Sequence, residues 1–378
     1  MSAKPAPRVL FALPGLHSVA RGAEVAFEAV ATGLAVNHGW DVVMVGSGEP
    51  RDGTPYRFMR VPAAPRERFE KWPMFPPFRS EFRWEEATFA WNLRKALART
   101  TADVSVTCSY PFVNWVLRRM RRETGTPTRH VFVTQNGDHP ALRTNSEYRF
   151  FRCDGLVCTN PQFFERNQST WHSTLIPNGV DTERFRPGPA DRAAFGLPEN
   201  VPIVVMASAL IPSKQVPLAV KAVAKLPGVF LAIAGDGPER ATVDALAHEL
   251  LPGRYLRTTL RPDQMPDFLR CGDVFLHLSR EESFGNVYIE AMASGIPVVA
   301  HDYPTTRWIF GDHATLVDTL DPETTALAIR SSLDVQRCSP EQLHAEAVAR
   351  FSWDSISAKY SDFLAGLLAS TPSAHATV

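Results

Sequence analysis

No run of about 18 apolar residues occurs in the chain, so nothing in it reads as a membrane-spanning helix. Charge of one sign is also lacking. Forty basic residues balance forty acidic ones, and no global field draws the chain onto nucleic acid or anionic lipid. Any polyanion must be met by a local site. Cysteine is sparse and odd in number: Cys108, Cys153, Cys158, Cys271 and Cys338 have neither the paired spacing of a zinc site nor the density of a disulfide scaffold. The close pair, Cys153 and Cys158, reads as small buried apolar side chains in a reducing compartment. Lys4 and Arg8 precede only a brief apolar stretch, Val9 to Pro14, too short for a signal-peptide core. A cytoplasmic protein is the expectation. The dinucleotide fingerprint is missing too. Pro14-Gly15-Leu16-His17 stands where Gly-x-Gly-x-x-Gly would follow a first strand, which argues against a nicotinamide-dependent enzyme.

What is present is the text of an α/β protein. A chain of 378 residues, 44% apolar and 21% charged, is comfortable as two ordinary globular domains. Arg8 to Gly15 reads as a buried strand running into a loop, Ala23 to His38 as a helix, and Asp41 to Gly46 as a second strand, together one βαβ unit. Further strands are expected at 103–107, 130–134, 155–159 and 173–176. Turn chemistry at Ile176-Pro177-Asn178-Gly179-Val180-Asp181 leads into the linker-like Arg184 to Pro189. The alternation then restarts, with strands at 203–207, 229–234, 254–258, 274–278 and 297–300 and helices at 215–226 and 239–250. Two doubly wound, Rossmann-like domains are predicted, residues 1–185 and 186–350, facing across a cleft at the carboxyl ends of their strands.

Two stretches stand apart. Arg66 to Trp84 carries Trp72, Phe75, Phe78, Phe82 and Trp84 among prolines too frequent for a regular element, either a lid or acceptor wall, or packing on the first domain. Arg118, Arg119, Arg121 and Arg122 interleave with Val113, Val116, Leu117 and Met120 at helical spacing, and read as a solvated helix face in preference to a membrane contact.

The chemistry concentrates in Ser279 to Val287, a loop between a strand and the helix Val287 to Ser294. A helix N-terminus offers unpaired N–H groups and partial positive charge, suited to a diphosphate. Glu282 lies before that cradle, placed to accept hydrogen bonds from sugar hydroxyls. Glu290, a turn inside the helix, reaches the two hydroxyls of a ribose. Lys214, after an earlier strand, supplies a fixed ammonium that stabilises a departing diphosphate without a metal.

Glu282-x7-Glu290 followed by Ala291-Met292-Ala293-Ser294-Gly295-Ile296-Pro297-Val298-Val299-Ala300 strongly resembles the signature of the GT-B, retaining, family-4-like glycosyltransferases (group 1). Gly22-Ala23-Glu24, Ile176 to Asp181, Gly235-Asp236-Gly237-Pro238 (read as a structural turn) and Pro212 with Lys214 fit in order. Phe351-Ser352-Trp353 resembles the start of the helix, residues 351–370, that in this fold crosses back to the first domain. The resemblance implies a first domain that binds the acceptor and a second that binds a nucleoside-diphosphate sugar. It assigns Glu282 to the donor sugar, Glu290 to the ribose, and the amides of Phe284, Gly285, Asn286 and Val287 to sugar and phosphates. Lys214 goes to the leaving group, with the Gly15 to Gly22 loop approaching the diphosphate from the other domain. It implies sugar transfer to an acceptor hydroxyl (small molecule, glycan or lipid-linked) with retention, no cofactor, no metal and no nucleic acid.

The chain departs from the family twice. Ala209 stands where an arginine commonly precedes the lysine, so either Arg280, Arg21 or another residue substitutes, or turnover is slow. Asn136 stands where many relatives carry a histidine, with Asp138 and His139 just beyond as contacts to sugar or acceptor. The missing arginine is the sole support for a rival reading, a non-catalytic nucleotide-sugar or glycan-binding protein on a degenerate scaffold.

Overall fold

Uninterrupted apolar runs such as Val9 to Ala12 and Ile203 to Ala207 form strands buried on both faces, as a parallel sheet covered by helices on each side requires. The computed structural model describes residues 6–370 except residues 20, 143–147, 281 and 336. The chain divides into two units, Met1–Asn178 with Trp353–Val378, and Gly179–Ser352. The division falls at Asn178, within the Ile176 to Asp181 turn.

Unit 1 runs β1 (Arg8–Ala12), α1 (Gly22–Asn37), β2 (Asp41–Gly46), β3 (Arg57–Arg60), α2 (Glu81–Ala96), β4 (Val104–Thr107), α3 (Phe112–Leu117), β5 (Arg129–Val133), β6 (Gly155–Cys158), α4 (Pro161–Asn167) and β7 (Ser173–Leu175). Its seven strands are all parallel, in the order β3-β2-β1-β4-β5-β6-β7. Val9 pairs with Val42 on one side and Val104 on the other, so the winding reverses between β1 and β4.

Unit 2 runs β8 (Ile203–Ala207), α5 (Val216–Ala224), β9 (Phe230–Ala234), α6 (Arg240–Leu250), β10 (Tyr255–Thr258), α7 (Met265–Arg270), β11 (Val274–His277), α8 (Asn286–Ala293), β12 (Val298–His301), α9 (Pro304–Phe310), β13 (Thr315–Val317), α10 (Pro322–Asp334) and α11 (Pro340–Phe351). Six parallel strands lie in the order β10-β9-β8-β11-β12-β13, so here the winding reverses between β8 and β11. Caps mark the helix starts. Asp321 accepts from the N–H groups of Glu323 and Thr324, and Ser339 forms a reciprocal capping box with Gln342.

After unit 2 the chain rejoins unit 1 as α12 (Trp353–Ala369). Its Ile356, Tyr360 and Leu364 are buried, and Trp40 Nε1 donates to Ser361 Oγ at 3.0 Å. Gly33 of α1 permits this close packing, since a Cβ there would lie 2.5 Å from Ser357 Cβ.

Two expectations are corrected. The aromatic stretch opens with a 3-10 turn, Arg66–Phe69, and is irregular from there only up to Ser80, because past Pro77 no proline prevents helix, and Phe82 and Trp84 sit in the first turns of α2. Phe69, Trp72, Phe75, Phe78 and Trp84 pack on one another, Phe78 stacking on Trp84 at 3.9 Å. The arginine run is not a helix face. The helix α3 ends at Leu117, and Arg121 instead bridges to Pro127 across a turn that uses Gly125 in a left-handed conformation. All five cysteines are free thiols. Among the described residues no helix is long and apolar enough to cross a membrane.

Candidate active site

In a doubly wound sheet the loops leaving the two strands at the winding reversal diverge, which opens a crevice at their carboxyl ends. In unit 2 those loops carry Lys214, after β8, and Glu282, after β11. Lys214 closes a 3-10 turn, Pro212–Lys214, and Gln215 then adopts φ 52° to start α5. The Lys214 ammonium donates to Glu282 Oε1, forming a largely buried ion pair.

The same oxygen receives a second contact. His277, the last residue of β11, places Nε2 3.1 Å from Glu282 Oε1. Its ring is 2% exposed and meets Tyr288 edge-on at 5.0 Å. Burial pulls the His277 pKa down against the pull of Glu282, so the imidazole is neutral, with its proton on the nitrogen that faces the carboxylate. Its Nδ1 is buried and has no hydrogen-bond partner among the described residues. For Glu282 burial acts upward, but the bonds from His277 and Lys214 outweigh it and hold the carboxyl at about 2. Glu282 is therefore a fixed carboxylate at any physiological pH.

Beyond it, Phe284 turns into the core against Phe351 and Trp308 and anchors the loop. Gly285 is the N-cap of α8 at φ 87°, where a Cβ would lie 2.6 Å from the Tyr288 ring. The helix α8 begins at Asn286, so the positive end of its dipole lies at this loop. Glu290 lies half-buried in the second turn. Burial pushes its pKa to about 7, against the opposing charge of Arg184, and among the described residues its carboxylate has no hydrogen-bond partner.

Gly15 and Gly22 bracket the loop after β1, at the reversal of unit 1. Gly15 is buried, and a Cβ there would sit 2.1 Å from Glu24 Oε1. Gly22 opens α1 and is exposed. Asn136 ends a 3-10 turn after β5 and is exposed, its amide 3.5 Å from Cys108 Sγ. Asp138 is pinned, accepting from Asn167 Nδ2 at 2.7 Å and pairing with Arg166 at 2.9 Å. His139 stacks on Tyr148 at 5.4 Å, and burial, aided by Arg83, lowers its pKa to about 4. Neither has the exposed, poised character of a proton-transfer group.

The structure brings Lys214, Glu282 and the α8 start together in unit 2, and Gly15, Asp138 and His139 to strand ends of unit 1. Ala209 is exposed and contributes no charge. Arg280 is exposed, and its charge is felt at His301. Sequence reasoning missed His277. Its signal was a single polar residue closing the apolar strand Val274-Phe275-Leu276.

Two all-parallel, doubly wound sheets, one with an ion pair at its winding reversal, define a Rossmann-type α/β protein. Comparison with known proteins makes this specific. The pattern of glycosyl transferases group 1 matches residues 188–348, and that of glycosyltransferase family 4 matches residues 20–184. The lipopolysaccharide core biosynthesis glycosyltransferase LpsE of Rhizobium meliloti is 32% identical over 240 residues, 62% of this chain and 69% of that protein. The D-inositol 3-phosphate glycosyltransferase of Mycolicibacterium smegmatis is 36% identical over 205 residues, 50% of this chain and 46% of its own length. Sucrose-phosphate synthase from Thermosynechococcus elongatus shares the fold, with a TM-score of 0.78, 20% identity, and coverage of 97% of this chain and 100% of that one. The chain belongs to the family 4, group 1 glycosyltransferases of GT-B fold, and is an enzyme that transfers a sugar.

Proposed function

We propose that the enzyme moves a hexose-type sugar from a nucleoside diphosphate to an acceptor hydroxyl, with retention and without a metal. The observation that carries this reading is the Lys214–Glu282 pair beside the start of α8. Arriving diphosphate oxygens compete for the Lys214 ammonium and take the α8 N–H groups, where the helix dipole favours negative charge. Glu282, still held by His277, is left to accept hydrogen bonds from the sugar hydroxyls. Glu290 takes the ribose hydroxyls.

As the bond from the anomeric carbon to the diphosphate oxygen breaks, the leaving group gains charge, and Lys214 stabilises it in a site shielded from water. The acceptor oxygen bonds to that carbon on the same face, and its proton passes to the departing diphosphate. No enzymic nucleophile is invoked. Acceptor contacts are assigned to the strand ends of unit 1 that carry Asp138 and His139. The two relatives are named for transfer in lipopolysaccharide core synthesis and to an inositol phosphate, which supports a glycan or polyol acceptor. Use of a nucleotide sugar is consistent with a cytoplasmic site of action.

A panel of UDP-, GDP-, ADP- and dTDP-sugars, followed for donor hydrolysis and transfer, tests the reading. Lys214→Ala and Glu282→Ala are each expected to lower kcat by about 10²–10³-fold. Near wild-type turnover of both at saturating donor would sink the site assignment. Donor binding with neither hydrolysis nor transfer would establish the rival, a non-catalytic binding protein.

A further inference from the structure

Glu24 puts a buried carboxylate at the winding reversal of unit 1. It lies in the first turn of α1 and is only 6% exposed. Glutamate is almost never buried to that degree unless it is paired. The partners that usually explain such a residue are missing. Arg21, the N-cap of α1, makes no side-chain cap bond, so Glu24 closes no capping box. The N–H groups of Ser18 and Val19 in the preceding loop are taken by the Gly15 carbonyl, at 3.0 Å each. Arg66 is held by Glu85 at 2.8 Å, and Arg21 is exposed. Both act on Glu24 through their charge, but among the described residues neither forms an ion pair with it.

Two observations place the carboxylate among the strand-end loops. Gly15, in the loop after β1, lies so close to Glu24 Oε1 that a Cβ on it would overlap that oxygen. Glycine stands there because any side chain would displace the carboxylate. Cys108 is the first residue after β4, and after burial the charge of Glu24 is the largest influence raising its thiol pKa. Strands β1 and β4 are the neighbours at which the winding reverses, and between their loops this architecture places ligands. A carboxylate only accepts hydrogen bonds, so its ligand must bring a donor. An ammonium would meet the charges of Arg21 and Arg66, whereas a neutral hydroxyl would not. A hydroxyl would also relieve the cost of burying an unpaired carboxylate.

We propose that Glu24 is an acceptor-binding residue, its carboxylate accepting a hydrogen bond from a hydroxyl of a sugar or polyol acceptor. Glu24 holds that hydroxyl and takes no proton from it. The proposal rests on the transferase reading only in making the hydroxyl the acceptor's; binding of a polyhydroxyl compound is a property of unit 1.

The test uses the full chain in a Glu282→Ala background, so that a sugar held in the donor site does not contribute. Binding of myo-inositol, D-glucose and D-mannose is followed by ligand-detected NMR. At least one of them is expected to bind. Glu24→Met, which removes the acceptor oxygens, is expected to weaken that binding at least tenfold, and Glu24→Gln, which keeps one, to weaken it less. Both variants should fold. Burial raises the Glu24 pKa, so its charged form opposes folding as pH rises, and melting temperatures at pH 8 should be unchanged or higher. Binding of none of the three compounds, or binding that survives Glu24→Met at full strength, would overturn the proposal. So would a melting temperature that falls in both variants at pH 8, the mark of a carboxylate already paired within the fold. Because no turnover is needed, failure here is separable from failure of the transferase reading, which donor hydrolysis reports.

Discussion

His277 Nε2 and the Lys214 ammonium meet the same oxygen of Glu282, Oε1. Among the described residues no hydrogen bond takes up Oε2, so one edge of the carboxylate is fixed and the other is open. The two holders differ in kind. Lys214 is a cation that a diphosphate can draw away, whereas His277 is neutral, buried and at the rigid end of a strand.

It follows that His277 keeps Glu282 in place once the donor has claimed Lys214. Replacing it by Leu removes a hydrogen bond to a charged group, a loss of about 1.5–3 kcal/mol, or roughly 10–100-fold. The expected result is a fall in kcat, with a smaller change in KM for the donor, because the diphosphate and ribose contacts survive. His277→Gln, which keeps a donor, should recover part of the rate. Equal loss of kcat in both variants, with normal melting curves, would show that shape matters here and the hydrogen bond does not.

On the proposed reading the Glu290 carboxylate accepts a hydrogen bond from each ribose hydroxyl, and protonation removes one acceptor. With its pKa pushed to about 7 by burial, donor affinity is expected to weaken as pH falls through that value, by up to about tenfold per unit. Dissociation constants of the nucleoside diphosphate from pH 5.5 to 8.5 measure this. Glu290→Gln should bind more weakly at the high end and lose the dependence. An unchanged profile in that variant would place the titration on the nucleotide's own phosphate.

Much of this was written in the sequence, for a physical reason. Central strands buried on both faces are uniform apolar runs, and strands such as Ile203–Ala207 stand out against their neighbours. Two of the four edge strands, β7 and β10, were legible, but the other two, β3 and β13, were invisible. In Arg57–Arg60 only Phe58 and Met59 are even half-buried, and Thr315–Val317 is three residues long. The loop Glu282 to Glu290 was legible because its chemistry is local, a helix start with two carboxylates on either side. His277 was not. Its role depends on a strand end meeting a loop five residues on, and no period or spacing encodes that contact. Asp138 and His139 were legible as polar residues, but their fates, pinned by Arg166 and stacked on Tyr148, are tertiary facts.

Gly285 tests whether backbone or side chains position the cradle. Alanine there meets two costs, a left-handed φ of 87° and a Cβ 2.6 Å from Tyr288. Gly53 offers a control, with φ 75° and nothing within 4 Å. Gly53→Ala is expected to cost about 1 kcal/mol from conformation alone. Gly285→Ala should cost more, by thermal or urea unfolding, and should also weaken donor binding, since the α8 N–H groups move with the loop. Equal destabilisation by the two would mean that Tyr288 yields freely.

Glu282 and Glu290 bend the pH dependence of stability in opposite directions. The folded pKa of Glu282, about 2, lies below its ordinary value of 4.5. Its contribution is therefore present above about 4.5 and is lost as pH falls toward 2. The folded pKa of Glu290, about 7, lies above 4.5. Its contribution is full below about 4.5 and is lost as pH rises through 7, because charging a half-buried carboxylate that has no hydrogen-bond partner among the described residues is unfavourable. Glu290→Gln should therefore raise the melting temperature of the free enzyme at pH 8 and change it little at pH 5. Glu282→Gln should lower it at pH 7, with a deficit that shrinks below pH 4. Donor should stabilise wild type at pH 8 more than it stabilises Glu290→Gln, because the ribose hydroxyls supply the partners the buried carboxylate lacks. A Glu290→Gln enzyme that is no more stable than wild type at pH 8 would mean that its carboxylate is already satisfied by solvent, and that binding the ribose relieves nothing.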